Sequence, residues 1–124
     1  MEKIENVKIK NVSLTIEDHD IFTFYLTIAG DGWETNIGGY TCATRSFDAS
    51  LNKYMYNTAY GTEAVWAMLS IMEAVGVSRW EDLMGKYCRV VREGLGYDIH
   101  KIGNIIKDQW ADLKEIFSEE TPHT

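Results

Sequence analysis

The chain has 124 residues, 45% hydrophobic and 25% charged, with 4 Trp, 7 Tyr and 4 Phe and a formal net charge of −7. That length suits one domain with one core, and the side-chain area is ample to offset chain entropy. The acidity argues against a general nucleic-acid coat, which sets Lys and Arg against phosphates; no apolar run approaches the roughly 20 residues of a membrane helix, the longest candidate being interrupted by Glu73.

Residues 6–16, NVKIKNVSLTI, alternate with Val7 and Ile9 in one parity and Val12, Leu14 and Ile16 in the other. A strand changes parity only by bulging or bending, so the pattern places a bulge near Lys10 and Asn11. The polar run Glu17-Asp18-His19-Asp20 closes a hairpin. The return strand over 21–29 sets Phe22, Phe24, Leu26 and Ile28 against Thr23, Tyr25 and Thr27, the mark of burial on one side. After a turn at Gly30-Asp31-Gly32, residues 33–43 read as a third strand. Its Gly38-Gly39 pair marks a bulge, a bend, or the close approach of another backbone or a ligand. Residues 44–60 show no clean period and read as a loop with room for a short strand turn.

From Thr62 the spacing is helical. Val65, Met68, Leu69, Met72 and Val75 recur three and four apart and are expected to face the core, Gly76 stops the helix, and Thr62 is placed to cap it. Ser78-Arg79-Trp80-Glu81 fits a capping box opening a short helical turn over 80–84, ended by Gly85. Residues 86–93 alternate, with Cys88 and Val90 inward and Tyr87 and Arg89 outward. Gly94-Leu95-Gly96 turns the chain into a strand over 97–106 with Ile99 and Ile102 inward. Trp110, Leu113, Ile116 and Phe117 recur at helical spacing, and residues 118–124 form a fraying tail. The expectation is a single α+β domain over 1–117: an antiparallel β-meander of three strands, an amphipathic helix, a β-hairpin and a short C-terminal helix.

Chemistry-bearing patterns are sparse. Asp18, Asp20, Asp31 and Glu34 lie in or beside turns, where solvation explains them, whereas acid/base work needs two carboxylates converging in one cleft. Asp18-His19-Asp20 are successive residues, which seldom point at one ion, and His100 and His123 offer no obvious third ligand. No metal or other cofactor is expected. Cys42 and Cys88 follow no metal or redox spacing and have no histidine nearby in sequence, and neither glycine turn has the Lys-Ser/Thr ending of a phosphate loop. The chain therefore reads as non-enzymatic. The start MEKIENVKIK lacks the apolar run of a signal peptide, so a cytoplasmic setting is expected.

What remains is a binding-type surface. Tyr87 and Arg89 share the outer face of one expected strand, and Trp33, Asn36 and Tyr40 lie on or near the glycine-rich third strand. Rings beside guanidinium groups suit a nucleotide-like ligand, by stacking and by bidentate contacts to phosphate. The same residue types suit a protein interface, or an amphipathic sheet face covered by residues 44–60 or by a second subunit.

The succession VSLTIEDHDIFTFYLTI, GDGW, NIGGY, GTEAVWAMLSIMEAVGV, SRWEDLMGKYCRV and KIGNIIKDQW resembles small proteins encoded by phages, prophages and other mobile elements of Gram-positive bacteria, over roughly residues 4–112. WEDL-x-GKY and IGNIIKD-x-W are its most recognisable segments. The resemblance carries no catalytic motif. By genetic neighbourhood it implies a counter-defence protein acting in the host bacterial cytoplasm. Two partners are expected from it: a small nucleotide immune signal, sequestered by a homo-oligomeric sponge, or alternatively a host defence protein such as a CRISPR nuclease, docked by an acidic inhibitor. Neither stable nucleic-acid binding nor membrane association is expected.

Overall fold

In the computed structural model, which describes residues 2–94 and 98–118, one long strand organises the sheet. This strand, β1 (Lys3–Glu17), pairs antiparallel on one side with β6 (Tyr87–Arg92), from Lys3↔Arg92 to Lys8↔Tyr87. On the other side it pairs with β2 (Ile21–Gly30), from Lys8↔Ala29 to Glu17↔Ile21. The register against β2 shifts between Ile9 and Asn11, so the bulge expected at Lys10-Asn11 is present. Through it, Val7 and Ile9 and then Val12, Leu14 and Ile16 face the same side. The bulge is held from the β6 side as well: the Ile9 N–H donates to the Lys86 carbonyl at 2.8 Å, and the Gly85 N–H to the Ile9 carbonyl at 2.7 Å.

β3 (Trp33–Gly38) folds back along one end of β2, and β4 (Ala43–Asp48) rejoins the same edge at Phe22↔Ala43. The single strand expected over 33–43 is therefore two strands with a bend between them. The bend turns on Gly38, at φ +124, and is tied to β2 by the Gly39 N–H on the Phe24 carbonyl at 3.0 Å and the Cys42 N–H on the Phe22 carbonyl at 2.9 Å. Where a loop was expected over 44–60, β4 pairs with β5 (Lys53–Asn57) as a hairpin. Its period is illegible in the sequence because every residue of β5 is exposed, so no apolar face had to alternate.

β7 (Lys101–Gly103) and β8 (Trp110–Asp112) complete an eight-stranded sheet in the order β5-β4-β2-β1-β6-β7-β8, with β3 on β2 and all pairs antiparallel. The molecule is thus more strand-rich than a three-strand meander and a hairpin. The expected strand over 97–106 shrinks to three residues because the Asn104 side chain accepts the N–H groups of Ile106 and Lys107, at 2.9 and 2.8 Å, replacing the ladder with a turn. Trp110, expected on the closing helix, lies in β8, and α2 (Leu113–Ser118) starts after it. The turn at Leu95-Gly96, the start of the return strand at 97, and residues 119–124 of the expected tail lie outside the described residues.

α1 (Gly61–Val75) stops where expected, at Gly76 with φ 97 and its N–H on the Met72 carbonyl at 2.8 Å. Its start differs: Tyr60 is the N-cap residue, without a side-chain bond, and Thr62 lies inside the helix. The helix is also rolled about its axis. Ala64, Ala67, Ile71 and Ala74 are buried and Met68, Met72 and Val75 flank them, whereas Val65 and Leu69 are 54% and 58% exposed. Alanines let a helix backbone lie close to β7, β8 and α2, with which α1 packs, and larger side chains are displaced to the flanks. The turn Trp80–Leu83 forms as expected, with Trp80 edge-on to Phe24 at 5.8 Å, but without its capping box. Arg79 is the N-cap residue, and its guanidinium engages Glu81 at 2.7 Å. Among the described residues, no helix is long and apolar enough to cross a membrane.

A Cβ at Gly38 would overlap the Phe24 carbonyl oxygen and would need a positive φ; at Gly32, with φ +82, nothing lies within 4 Å. Gly38→Ala is expected to lower the unfolding free energy by about 3 kcal/mol and Gly32→Ala by about 1 kcal/mol, read from urea denaturation midpoints. Equal effects would contradict this account of the bend.

Candidate functional site

The helices cover the sheet face that carries Val7, Cys88, Val90 and Ile102, all buried. Alternation along β1 and β6 sends Asn6, Lys8, Tyr87 and Arg89 to the opposite face, where Asn6 sits across from Arg89 and Lys8 across from Tyr87. On that face lies a shallow depression of about 630 Å³, lined by Asn6, Val7, Lys8, Tyr87 and Ile105, by Ala29 and Gly30 at the end of β2, and by Asp31 just beyond it. Tyr87 is 60% exposed, and the Lys8 ammonium stands over its ring, 5.8 Å from the ring centre. An exposed ring, a cation and an amide on one rigid sheet can stack a planar group and pair with an anion attached to it.

The five residues that the sequence points to are not gathered in one place. Tyr87 lines the depression. Arg89 lies one pair away, and its guanidinium is engaged: Nε donates to the Asn104 carbonyl at 2.7 Å, Nη2 to the Lys107 carbonyl at 2.8 Å, and the group lies 5.1 Å from the Trp110 ring centre. Arg89 thus anchors the loop that carries Ile105 and adds positive potential beside the depression. Asn36 is on the same face but across β2 and β1, where it accepts a hydrogen bond from Thr27 Oγ1 at 2.8 Å. Trp33 points to the other face. Its Nε1 donates to Glu5 Oε1 at 3.2 Å, the Arg92 guanidinium lies 4.3 Å from its ring centre, and Arg92 Nη1 donates to Glu5 Oε2 at 3.3 Å.

Tyr40 is stacked on Phe117 with ring centres 4.4 Å apart, and its carbonyl accepts the Thr23 hydroxyl at 2.6 Å. Burial, then Asp98 and Asp112, push its phenol above the ordinary tyrosine range. It lines a separate cavity of about 340 Å³ with Glu93, Asp98, His100 and Lys114, beside which His100 Nδ1 lies 3.1 Å from Asp112 Oδ1. Among the described residues, no three His, Cys, Asp or Glu side chains gather as metal ligands would.

Comparison of the chain with protein-family models, with curated proteins and with solved structures finds no match to any of them. The geometry therefore carries the functional reading. Lys8, Asn6 and Asp31 escaped the sequence reading because their proximity to Tyr87 depends on strand register. The one available signal was the polar parity of Asn6 and Lys8 against Val7 and Ile9.

Cys42 and Cys88 are free and buried. Burial pushes the Cys42 thiol up to about 11 and the Cys88 thiol up to about 12, so both are protonated and poorly nucleophilic at neutral pH. A folded pKa above the unfolded one means that stability is complete below about pH 8.5 and is lost as pH rises through the folded value, since the unfolded chain releases its thiol protons first. Each thiol is expected to contribute a slope of about −1.4 kcal/mol per pH unit in that window. Urea unfolding over this range should show Cys88→Ala losing stability less steeply than the native chain by about that amount. Parallel curves would refute the assignment.

Proposed function

We propose that the chain is a non-catalytic binding protein that captures a small nucleotide-like ligand on the bare sheet face, that it is phage-encoded, as the resemblance read from the sequence implies, and that it sequesters a bacterial immune signal. The observation that carries this reading is the exposed Tyr87 side chain, with the Lys8 ammonium 5.8 Å from its ring centre, in the lining of a depression of about 630 Å³. That volume falls within the range of small-molecule sites, roughly 300–1,000 Å³. Tyr87 supplies a stacking face for a base, Lys8 a cation for a phosphate, and Asn6 an amide for a ring edge. Arg89, held by two carbonyls next to Lys8 and Tyr87, raises the local potential within a molecule of net charge −7. Among the described residues the lining offers one carboxylate, Asp31, whereas hydrolysis by acid and base needs two groups of separated pKa; this favours capture over turnover.

The net charge favours a second reading, an acidic inhibitor docked on a basic host defence effector. Calorimetric titration separates the two. Cyclic oligonucleotides and ADP-ribose-type signals should release heat, Tyr87→Ala and Lys8→Ala should each weaken binding by about tenfold or more, and Trp66→Ala, on the exposed side of α1, should not. Absence of heat with every such ligand would defeat the first reading, and salt-sensitive retention of a basic nuclease would select the second.

A further inference from the structure

The depression at Tyr87 spans three strands, and its two ends differ in chemistry. Lys8 on β1 is paired with Tyr87 on β6 and with Ala29 on β2, so the three form one row across the sheet with Lys8 in the middle. At about 4.8 Å between neighbouring strands, the row runs about 10 Å from Tyr87 to Ala29. β7 pairs with β6 at Arg89↔Gly103, which brings Ile105, in the loop after β7, to the Tyr87 end. Asp31, just past β2, stands at the Ala29 end. Between Lys8 and Asp31 the lining is Ala29 and Gly30, one methyl group and bare backbone, so the floor there is open.

The polar groups along this row are uncommitted. Lys10, two residues on, is paired with Glu34 at 3.8 Å, and Arg89 is held by two carbonyls. Among the described residues, by contrast, no carboxylate pairs with the Lys8 ammonium, and no group hydrogen-bonds the side chain of Asn6 or Asp31. The row therefore offers three things in order: a ring with an aliphatic neighbour, a cation, and a carboxylate that only accepts hydrogen bonds.

A nucleotide with one ribose satisfies two of the three. Its base stacks on Tyr87 and its phosphate reaches Lys8, and Asp31 is left over. What lies beyond the phosphate must then carry hydrogen-bond donors and no negative charge, because a further phosphate at that end would face the Asp31 carboxylate. The hydroxyls of a second ribose are such donors, and carboxylates hold ribose hydroxyls in the dinucleotide sites of doubly wound folds. Asn6, on the same face one pair along from Lys8, brings both donors and an acceptor to the linking oxygens.

Resting on the reading of this depression as a nucleotide site, we infer that its ligand carries two ribosyl units joined through phosphate. The first base lies on Tyr87 against Ile105, the joining phosphate lies at Lys8, and the second ribose sits on the open floor at Ala29 and Gly30 with a hydroxyl on Asp31. Asp31 is then the residue that sets specificity: it accepts from a second sugar and repels a nucleotide that ends in a free phosphate. Pyrophosphate-linked molecules of the ADP-ribose type and phosphodiester-linked cyclic dinucleotides share this chemistry.

Calorimetric titration of the full chain with matched pairs tests this: ADP against ADP-ribose, AMP against cyclic di-AMP, and GMP against cyclic di-GMP. In at least one pair the two-ribose ligand should bind about tenfold or more tightly than its counterpart, and the pair that shows the gap identifies the linkage. Asp31→Ala, in an exposed turn, should leave the circular dichroism spectrum unchanged and remove that gap, while Tyr87→Ala weakens both members of the pair. Equal affinities within every pair overturn the inference while nucleotide capture stands, as does an Asp31→Ala variant that keeps the gap. Heat from none of the six ligands overturns both.

Discussion

The structure depends on one constraint, the double pairing of β1. Its fifteen residues reach roughly 50 Å, and it is the only strand bonded to both β2 and β6. A bulge at Lys10 keeps both halves of it turned to the same side, pinned where Gly85 and Lys86 bond to the backbone of Ile9. The helical layer is shorter than this strand. α1, also of fifteen residues, is about 22 Å long and packs at the β7 and β8 end of the sheet. Because α1 lies over β7 and β8, no helix among the described residues covers the half of the same face beside the β4–β5 hairpin, and there Leu14 and Ile16 emerge.

Two cross-strand pairs hold the ends of this arrangement. Trp33 lies across Gly30, and Trp110 across Gly103, so closely that a Cβ on either glycine would collide with the indole. Each ring is bracketed by an arginine and a carboxylate: Trp33 by Arg92 and Glu5, Trp110 by Arg89 and Asp108. Large rings laid over glycines supply the packing that a glycine cannot. The same residue types that make good ligand contacts are here committed to the sheet. Arg89 has a further role, because Asn104, whose carbonyl it holds, also donates through Nδ2 to the Ala74 carbonyl at the end of α1. One loop thereby connects the bare face of the sheet to the helical layer.

The two uncovered surfaces differ in kind. Around Tyr87 the face is a shallow, mostly apolar depression with the Lys8 ammonium 5.8 Å from the ring centre; around Tyr56 it is aromatic and borders β5, the terminal strand of the sheet. α1 adds to the apolar exposure, since Val65, Trp66 and Leu69 all face outward, a consequence of alanines having taken the positions against the sheet.

Local periodicity alone determined the parity change at Lys10-Asn11, the one-sided burial of Phe24, Leu26 and Ile28, the helix ending at Gly76, and the outward setting of Tyr87 and Arg89. Each of these follows from residues within a few positions of one another, where steric preference and apolar alternation act. Only the tertiary structure decided that 43–57 is a hairpin, that α1 buries alanines in place of Val65 and Leu69, that Trp110 belongs to a strand, and that Trp33, Asn36, Tyr40 and Tyr87 lie in different places. The reason is common to all of them. An exposed strand has no face to encode, the roll of a helix is set by how closely the sheet can approach it, and the meeting of Lys8 with Tyr87 is a matter of register between strands nearly eighty residues apart.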